Sequence, residues 1–316
     1  MVQTELHRHL DVCTRPATLL ELLQAQGLEP QSTSLAAFRE KTLIQAPMKD
    51  LASVLGKFGA FQRALHTPDA IERVGFEAVE DCWREGTRAV ELRFSPSFAT
   101  EFSGLSWREA TESFDRGIRR ACAQYAGMRA GMICIATRDY GADSVAESVE
   151  FFLKNRDLFV GFDLAGDEAA HPGKKFESSF KRLRQAGARI TVHSGEASGP
   201  ESIWEALEYL GAERIGHGVA CARDPKLMEH LRDQRICLEI CPTSNWLVGI
   251  FPRVEDHVLP KLLRAGVPVS LNTDDPGIMN VTLASEIDVC RNRLGMTPAE
   301  IQRCFEYAAA ASFLPH

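Results

Sequence analysis

Eight short apolar segments recur along this 316-residue chain, and longer segments with helical spacing of apolar residues separate them. The predicted strands span residues 4–9, 89–94, 131–136, 160–164, 189–193, 214–217, 236–241 and 267–271. Strands that alternate with helices predict a parallel sheet, and eight repeats favour a closed (β/α)8 TIM barrel of the α/β class. An open doubly wound sheet is the alternative, but no Gly-x-Gly-x-x-Gly follows the first strand.

The first connection between predicted strands is the longest and spans residues 16–86. It contains an amphipathic stretch at 51–65, which predicts a helix. An insertion after a strand lies at the active face of a barrel, so this helix packs either on the barrel wall or over the barrel mouth as a lid. The sequence leaves both open. We expect residues 1–316 to form one barrel domain, with 16–86 as a lid-like helical insertion after strand 1.

Composition narrows the class of protein and its compartment. Hydrophobic residues make up 45% and charged residues 25% of the chain, as in ordinary globular domains. The net charge of -7 and the lack of a Lys/Arg run argue against a nucleic-acid partner, and no apolar stretch approaches the ~20 residues of a membrane helix. The N-terminus lacks a signal-peptide pattern, and nine scattered cysteines without Cys-x-x-Cys indicate reduced thiols. We therefore expect a cytoplasmic protein, and the oligomeric state is left open.

Residues that bind metals or transfer protons follow the predicted strands. His7 and His9 share one face of the first strand, because residues i and i+2 project to the same side. His193 ends the fifth strand, His217 lies between two glycines at the end of the sixth, and Asp274 follows the eighth. The carboxyl ends of barrel strands form one rim, so these side chains converge. They supply three histidines and one aspartate for a metal, or three ligands and a catalytic histidine. Imidazole and carboxylate together suit zinc, with other divalent ions as substitutes.

Further residues at this rim suit contact with a substrate. Asp275 directly follows Asp274, and adjacent side chains on extended backbone point in different directions, so one carboxylate can bind a metal while the other meets a substrate. Glu196 lies in the loop beyond the fifth strand. Gly166 follows the fourth strand and presents its backbone N–H without a side chain in the way.

These motifs together resemble those of the adenosine deaminase family. The resemblance is carried, in chain order, by His7-x-His9, Asp163-Leu164-Ala165-Gly166-Asp167-Glu168, His193-x-Gly195-Glu196, Gly216-His217-Gly218 and Ser270-Leu271-Asn272-Thr273-Asp274-Asp275-Pro276. Two further segments, Val90-Glu91-Leu92-Arg93-Phe94-Ser95-Pro96 and Cys241-Pro242-Thr243-Ser244-Asn245, extend it. The match covers nearly the whole chain. It implies a metal-dependent amidohydrolase barrel that replaces the 6-amino group of a purine by oxygen.

The resemblance also implies a role for each of these residues. One zinc ion per chain would be held by His7, His9, His193 and Asp274. Glu196 would protonate the ring nitrogen beside the carbon that is attacked, and His217 would orient the attacking water and help accept its proton. Among the substrate-binding residues, Asp275 would bond the imidazole part of the purine and the N–H of Gly166 would face its other side. Asp11 would meet a ribose hydroxyl.

The expected substrate is a 6-aminopurine nucleoside, most simply adenosine, which would give inosine and ammonia. The family usually has Gly and a small residue where this chain has Val12-Cys13-Thr14, a segment expected on the sugar side of the pocket. Relatives that take free adenine tend to carry Glu at the position of Asp11, so this residue favours a nucleoside.

Two alternatives to adenosine deamination stay open. Aminodeoxyfutalosine, a nucleoside of menaquinone biosynthesis with an aromatic acid attached, would undergo the same chemistry, and the cations available near the lid for its carboxylate are Lys49, Lys57 and Arg63. A non-catalytic nucleoside-binding barrel is the second alternative, although such a protein has no need of Glu196. A zinc cytidine deaminase is disfavoured, because the chain lacks the Pro-Cys-x-x-Cys segment of that class.

Overall fold

The computed structural model describes residues 3–49 and 51–315. Its eight strands are β1 Gln3–His9, β2 Thr87–Phe94, β3 Arg129–Thr137, β4 Gly161–Ala165, β5 Thr191–Ser194, β6 Arg214–His217, β7 Cys237–Ile240 and β8 Val269–Leu271. All eight correspond to predicted strands, with ends shifted by at most two residues. The domain predicted over residues 1–316 includes positions 1, 2, 50 and 316, which lie outside the described residues.

The strands form two parallel four-stranded sheets, β1-β2-β3-β4 and β5-β6-β7-β8, that join at both edges. At one seam Arg8 pairs with Asp274, and the N–H of His9 donates to the Asp274 carbonyl at 2.8 Å. At the other seam Phe162 pairs with Ile190. The sheets therefore close into the (β/α)8 TIM barrel that the strand count predicts, and the carboxyl ends of all eight strands meet at one rim.

Sixteen α-helices lie within the described residues. They are α1 Pro16–Ala25, α2 Leu35–Thr42, α3 Leu51–Leu55, α4 Gly59–Ala64, α5 Pro68–Arg84, α6 Pro96–Ala99, α7 Trp107–Gln124, α8 Gly141–Lys154, α9 Glu177–Gln185, α10 Pro200–Glu205, α11 Pro225–Asp233, α12 Pro242–Leu247, α13 Leu259–Arg264, α14 Pro276–Met279, α15 Leu283–Asn292 and α16 Pro298–Ala311. Many carry proline in the first turn, where its fixed φ and missing N–H are tolerated.

The long first connection contains helices α1 to α5. The amphipathic stretch at 51–65 forms two short helices, α3 and α4, instead of the single helix expected. Val54, Phe58 and Phe61 of this stretch are buried in a second apolar cluster, where they meet Leu247 and Ile278 from the segments after β7 and β8. These contacts place the stretch at the rim formed by the carboxyl ends of the strands.

Cysteine usage in the fold agrees with the expectation of reduced thiols. All nine cysteines fall within the described residues, and each is unpaired. Eight of them are buried, so they behave as small core residues. No helix in the described part of the chain combines the length and apolar character needed to cross a membrane.

Candidate metal and proton-transfer site

The four predicted metal ligands meet at the barrel mouth. His7 and His9 come from β1, His193 from β5, and Asp274 lies just after β8. The Nε2 atoms of His9 and His193 are 3.2 Å apart. Asp274 Oδ1 lies 3.1 Å from Nε2 of His7 and 3.3 Å from Nε2 of His9. Donor atoms of His7, His193, His217 and Asp274 all lie within 4.8 Å of one another, and His9 belongs to an overlapping group with Asp274 and Asp275. The structure thus brings the four predicted ligands together and places His217 as close to the cluster as they are.

The spacing of these atoms fits a divalent metal ion. Ligand atoms that lie ~2.0–2.1 Å from a tetrahedral zinc stand about 3.3 Å from one another. The observed separations of 3.1, 3.2 and 3.3 Å match this value. Nε2 of His7 is buried and has no hydrogen-bond partner, as expected for an atom whose lone pair serves a metal.

Local backbone geometry accounts for the convergence. A Cβ atom at Gly216 would lie 3.1 Å from Cα of His193 and 3.1 Å from Cε1 of His7, so any side chain at this position would crowd both histidines. Asp274 and His217 have positive φ angles, 65° and 60°, which are rare for residues with side chains. Backbone hydrogen bonds hold Asp274 in place, because its N–H donates to the His7 carbonyl at 3.0 Å. Strained backbone of this kind concentrates at functional sites.

Two buried carboxylates back the ligand histidines. Nδ1 of His7 lies 2.9 Å from Glu239 Oε2, and Nδ1 of His193 lies 2.9 Å from Asp163 Oδ2. Such partners keep Nδ1 protonated and leave Nε2 free for a metal. Burial alone would raise the pKa of Glu239, but Arg93 and other cations hold that pKa well below its usual range. Sequence reasoning missed these roles, although a charged residue within an apolar strand was a usable signal.

Glu196 and His217 lie beside the ligand cluster. Glu196 Oε1 accepts a hydrogen bond from Asn245 Nδ2 at 2.9 Å and lies 3.5 Å from His217 Nδ1. Burial, together with the charges of Asp274 and Glu168, raises the pKa of Glu196 well above its usual value. Burial lowers the pKa of His217 well below its usual value. Both shifts favour the uncharged form of the group, as an acid and a neutral imidazole require.

The loop that carries Glu196 is organised by Glu168, a residue without an assigned role in the sequence reading. Its carboxylate accepts backbone N–H groups from Gly195, Glu196, Ala197 and Ser198, at 2.6 to 3.0 Å. Glu168 is itself buried. Four charge-assisted bonds to one carboxylate fix the loop and hence the position of Glu196.

Two connected cavities adjoin these groups. The inner one encloses about 70 Å³ and is lined by predicted site residues, namely His9, Gly166, His193, Glu196, His217, Asp274 and Asp275. The outer one encloses about 270 Å³, includes Asp11, and shares His9, Leu55, Phe58, Ala165 and Gly166 with the first. All nine predicted site residues except His7 therefore line a cavity. His7 lies beneath the inner one as a fully buried residue.

The three predicted substrate-binding residues present polar atoms to this space. Asp275 Oδ1 is buried without a hydrogen-bond partner, and burial with the Asp274 charge raises the pKa of Asp275 well above its usual value. Asp11 accepts the Ser95 N–H at 3.2 Å, and burial raises its pKa to about 7. Gly166 has φ 106°, which strains any residue with a side chain, and a Cβ there would also displace the Asp139 carboxylate, whose oxygen lies 1.7 Å from that position.

The segment Val12-Cys13-Thr14 does not border the cavities. None of its residues lines either one. Val12 packs in the second apolar cluster with Leu19 and Ile278. The expectation that this segment borders the pocket is therefore wrong: it packs behind the site, and none of its side chains lines either cavity.

Comparisons with known proteins agree with this architecture. The sequence model of a family described as adenosine deaminase matches residues 3–316. A curated adenosine deaminase from Shigella flexneri serotype 5b is 40% identical over 300 residues, which are 95% of this chain and 90% of that relative.

Solved structures share the fold. The structure of an adenine deaminase from Arthrobacter aurescens superposes with a TM-score of 0.90 at 26% identity, covering 99% of this chain and 94% of that one. An amidohydrolase from Burkholderia ambifaria, solved with bound Zn, superposes with a TM-score of 0.89 at 23% identity, covering 100% of this chain and 86% of that one. The predicted (β/α)8 barrel is confirmed by these matches.

Proposed function

The chain belongs to the adenosine deaminase family and is a hydrolytic deaminase that acts on a C–N bond, and we propose that it uses zinc to convert adenosine to inosine and ammonia. One observation carries the proposal. Glu196, a buried carboxyl whose pKa is raised well above its usual value, faces the same cavity of about 70 Å³ as the His/Asp cluster and Asp275, whose Oδ1 has no hydrogen-bond partner. Hydrolysis of an amino group on a purine ring needs these groups together.

The metal would be held by His7, His9, His193 and Asp274, and three of the separations between their donor atoms match those of a tetrahedral site. Lewis acidity that activates water near neutral pH is the chemistry that a bound zinc ion would supply there. The zinc found in the Burkholderia amidohydrolase supports this choice of ion. Nitrogen and carboxylate donors also suit other divalent ions, so the metal content of the purified protein tests it directly.

The remaining residues act on the purine and on the attacking water. Glu196 protonates the ring nitrogen beside the amino-bearing carbon, which makes that carbon electrophilic. Asp274 Oδ2 and His217 Nε2 are 3.9 Å apart and orient the water between them. Asp275 in its protonated form donates to the imidazole part of the purine, and Gly166 allows the ring to lie close to the backbone. Attack gives a tetrahedral carbon, which then expels ammonia.

The outer cavity favours a substrate with an uncharged sugar end. Its lining includes the carboxylates Asp11, Glu101 and Asp139, and no Lys or Arg is among the described residues that line either cavity. Arg63, one of the cations considered for an acid-bearing substrate, has its guanidinium 4.2 Å from the ring centre of Phe102. A carboxylate or phosphate on the sugar would therefore meet negative charge. This supports adenosine over aminodeoxyfutalosine.

Ammonia release by the zinc-loaded protein tests the substrate. We expect efficient turnover of adenosine and much weaker turnover of aminodeoxyfutalosine, adenine and adenosine monophosphate, measured in parallel at equal concentrations. Faster turnover of aminodeoxyfutalosine than of adenosine would overturn the choice of nucleoside while keeping the chemistry. Binding of adenosine without ammonia release would favour the non-catalytic barrel.

The substitution Glu196→Gln tests the acid role. Glutamine keeps an oxygen that accepts the Asn245 bond, but its amide N–H groups are too weakly acidic to transfer a proton to the ring. We expect turnover to fall by at least about 1000-fold, because a positioned acid contributes ~10²–10⁴-fold and the ring must be protonated to react. Metal content and purine binding should be unchanged. Retained turnover would contradict the assignment.

A further inference from the structure

Asn245 contacts both Glu196 and His217, and the sequence analysis assigned it no catalytic role. It lies in α12, after β7, and its side chain is fully buried. Nδ2 of Asn245 lies 2.9 Å from Glu196 Oε1 and 3.1 Å from His217 Nδ1. An amide nitrogen has two protons and can serve both acceptors at once.

A second buried side chain holds the other end of this amide. Nε2 of His257 lies 3.2 Å from Oδ1 of Asn245. Nδ1 of His257 lies 3.0 Å from the backbone N of Leu259, the first residue of α13. His257 is buried and packs against Phe251, with ring centres 4.6 Å apart. A chain of hydrogen bonds thus runs from the start of α13 to the catalytic pair.

The backbone N–H of Leu259 fixes the direction of every bond in this chain. A backbone N–H can only donate, so Nδ1 of His257 is an acceptor and the proton of this neutral ring is on Nε2. That proton requires an acceptor, which places Oδ1 of Asn245 toward His257 and Nδ2 toward the site. The opposite orientation of the amide would set two donors against each other.

The orientation of the amide determines where the protons of the catalytic pair lie. His217 accepts at Nδ1, so its ring proton is on Nε2, which faces Asp274 Oδ2 at 3.9 Å. In this tautomer Nε2 of His217 can donate to a water between the two side chains but cannot accept a proton from it, which leaves the Asp274 carboxylate as the acceptor. Glu196 accepts at Oε1, which leaves Oε2 as the oxygen that carries its proton.

We propose that Asn245 and His257 are positioning residues, which together set the tautomer of His217 and the orientation of the Glu196 carboxyl. Neither touches the reacting atoms. The proposal rests on the deaminase assignment only for its effect on rate, because the tautomer itself is a property of the protein and can be measured without a substrate.

Nitrogen-15 NMR of histidine-labelled protein tests the tautomer in the metal-free and zinc-loaded forms. We expect His217, identified by comparison with His217→Asn, to show a protonated Nε2 and an unprotonated Nδ1. In Asn245→Asp a carboxylate oxygen, which can only accept a hydrogen bond, replaces the amide nitrogen that faces Nδ1 of His217. The His217 ring proton should therefore move to Nδ1 in a protein of nearly the same shape. A wild-type His217 protonated on Nδ1 would overturn the proposal outright.

Kinetics of His257 variants test the positioning role. His257→Phe keeps a ring against Phe251 but loses both hydrogen bonds, and we expect kcat to fall about tenfold with KM and metal content unchanged. His257→Gln retains a donor toward Asn245 and should recover most of this loss. Asn245→Asp, with the wrong tautomer, should lose about 100-fold or more.

His230→Phe is the matched control, because this histidine lies in α11 and contacts Trp204, outside the chain of bonds. It should change neither kcat nor the His217 spectrum. If His257→Phe does not fold, kcat and the His217 tautomer compared among wild type, His257→Gln and Asn245→Asp still test the proposal. Equal kcat and equal tautomer in wild type and Asn245→Asp would refute the proposal. The expected tautomer in a protein without deaminase activity would reject the proposed function alone.

Discussion

Arg93 is fully buried inside the barrel, and it binds both carboxylates that back the ligand histidines. Its guanidinium donates to Asp163 Oδ2 at 2.8 Å and to Glu239 Oε2 at 2.6 Å. Those oxygens face Nδ1 of His193 and of His7. One cation therefore offsets two buried negative charges that would otherwise repel each other or take up protons.

Replacing Arg93 by Gln should weaken metal binding. A residue that orients metal ligands from behind typically contributes about 10–100-fold in metal affinity, and Arg93 holds the carboxylates behind two ligands. Zinc affinity measured by competition with a chelating dye checks this. Arg15→Gln is the control, because the guanidinium of Arg15 pairs with Glu80 and Asp81, which contact none of the four ligands. Equal metal affinity in Arg93→Gln and wild type would disprove the role.

Glu286 gives a prediction for the pH dependence of stability. It is buried in α15, its Oε1 has no hydrogen-bond partner, and burial raises its pKa from 4.5 to about 8. Between these values the native state holds a proton that the unfolded state has lost, so its contribution to stability falls as pH rises. Glu286→Gln mimics the protonated form.

This variant should therefore match wild type in unfolding free energy near about pH 5 and exceed it near about pH 9, by a few kcal/mol at most. Urea unfolding at several pH values is the measurement. A constant difference across the range would show that Glu286 does not titrate as inferred.

The individual residues show which parts of the site a sequence reveals. His7, His193 and Asp274 were found because the carboxyl ends of predicted strands must share a rim, whatever the details of packing. Asn245 and His257 were not, because their roles depend on hydrogen-bond directions between side chains from separate loops. Arg93 and Glu239 lie 146 positions apart, and only the closed barrel shows that they touch.

At the level of elements, strands were predicted better than the helices over the site. A buried parallel strand is a short continuous apolar run, and this pattern can be recognised in the sequence whatever packs against the strand. The stretch at 51–65 has helical spacing, yet it forms two short helices. Leu51 and Leu55 line the inner cavity and also pack against the second cluster, in which Val54 and Phe61 are buried. A sequence pattern cannot show that one amphipathic face will be shared in this way.

These contacts support the prediction that residues 51–65 act as a lid. Bound substrate would touch Leu55 and Phe58, which line both cavities, and would hold α3 and α4 in place. A nucleoside analogue at saturating concentration should slow hydrogen exchange of the amides of 51–65. Helix α2, in the same connection but away from the cavities, is the internal control and should exchange at an unchanged rate. Equal exchange of the stretch with and without ligand would count against a lid.

For the whole molecule, the metal cluster lies where the two halves of the barrel meet. His7 and His9 belong to the first four-stranded sheet, whereas His193 belongs to the second and Asp274 follows its last strand. An ion bound there joins both sheets at the β1–β8 seam, where few backbone bonds close the barrel. That residues 1–316 form one domain remains a prediction. An ion that binds residues of both sheets would make the two sheets unfold together.

Removing the metal should therefore lower thermal stability. An ion that binds only the native state adds ~2.7 kcal/mol when its concentration is 100 times Kd, and for a chain of this length that corresponds to roughly 5 °C in Tm. Calorimetry before and after chelation, followed by zinc addition, measures the shift and its recovery. Glu196→Gln keeps all four ligands, so chelation should lower its Tm as much as that of wild type. His7→Ala lacks one ligand before chelation, so its Tm should fall much less. A Tm that does not respond to chelation in wild type would mean that the cluster does not hold an ion joining the sheets.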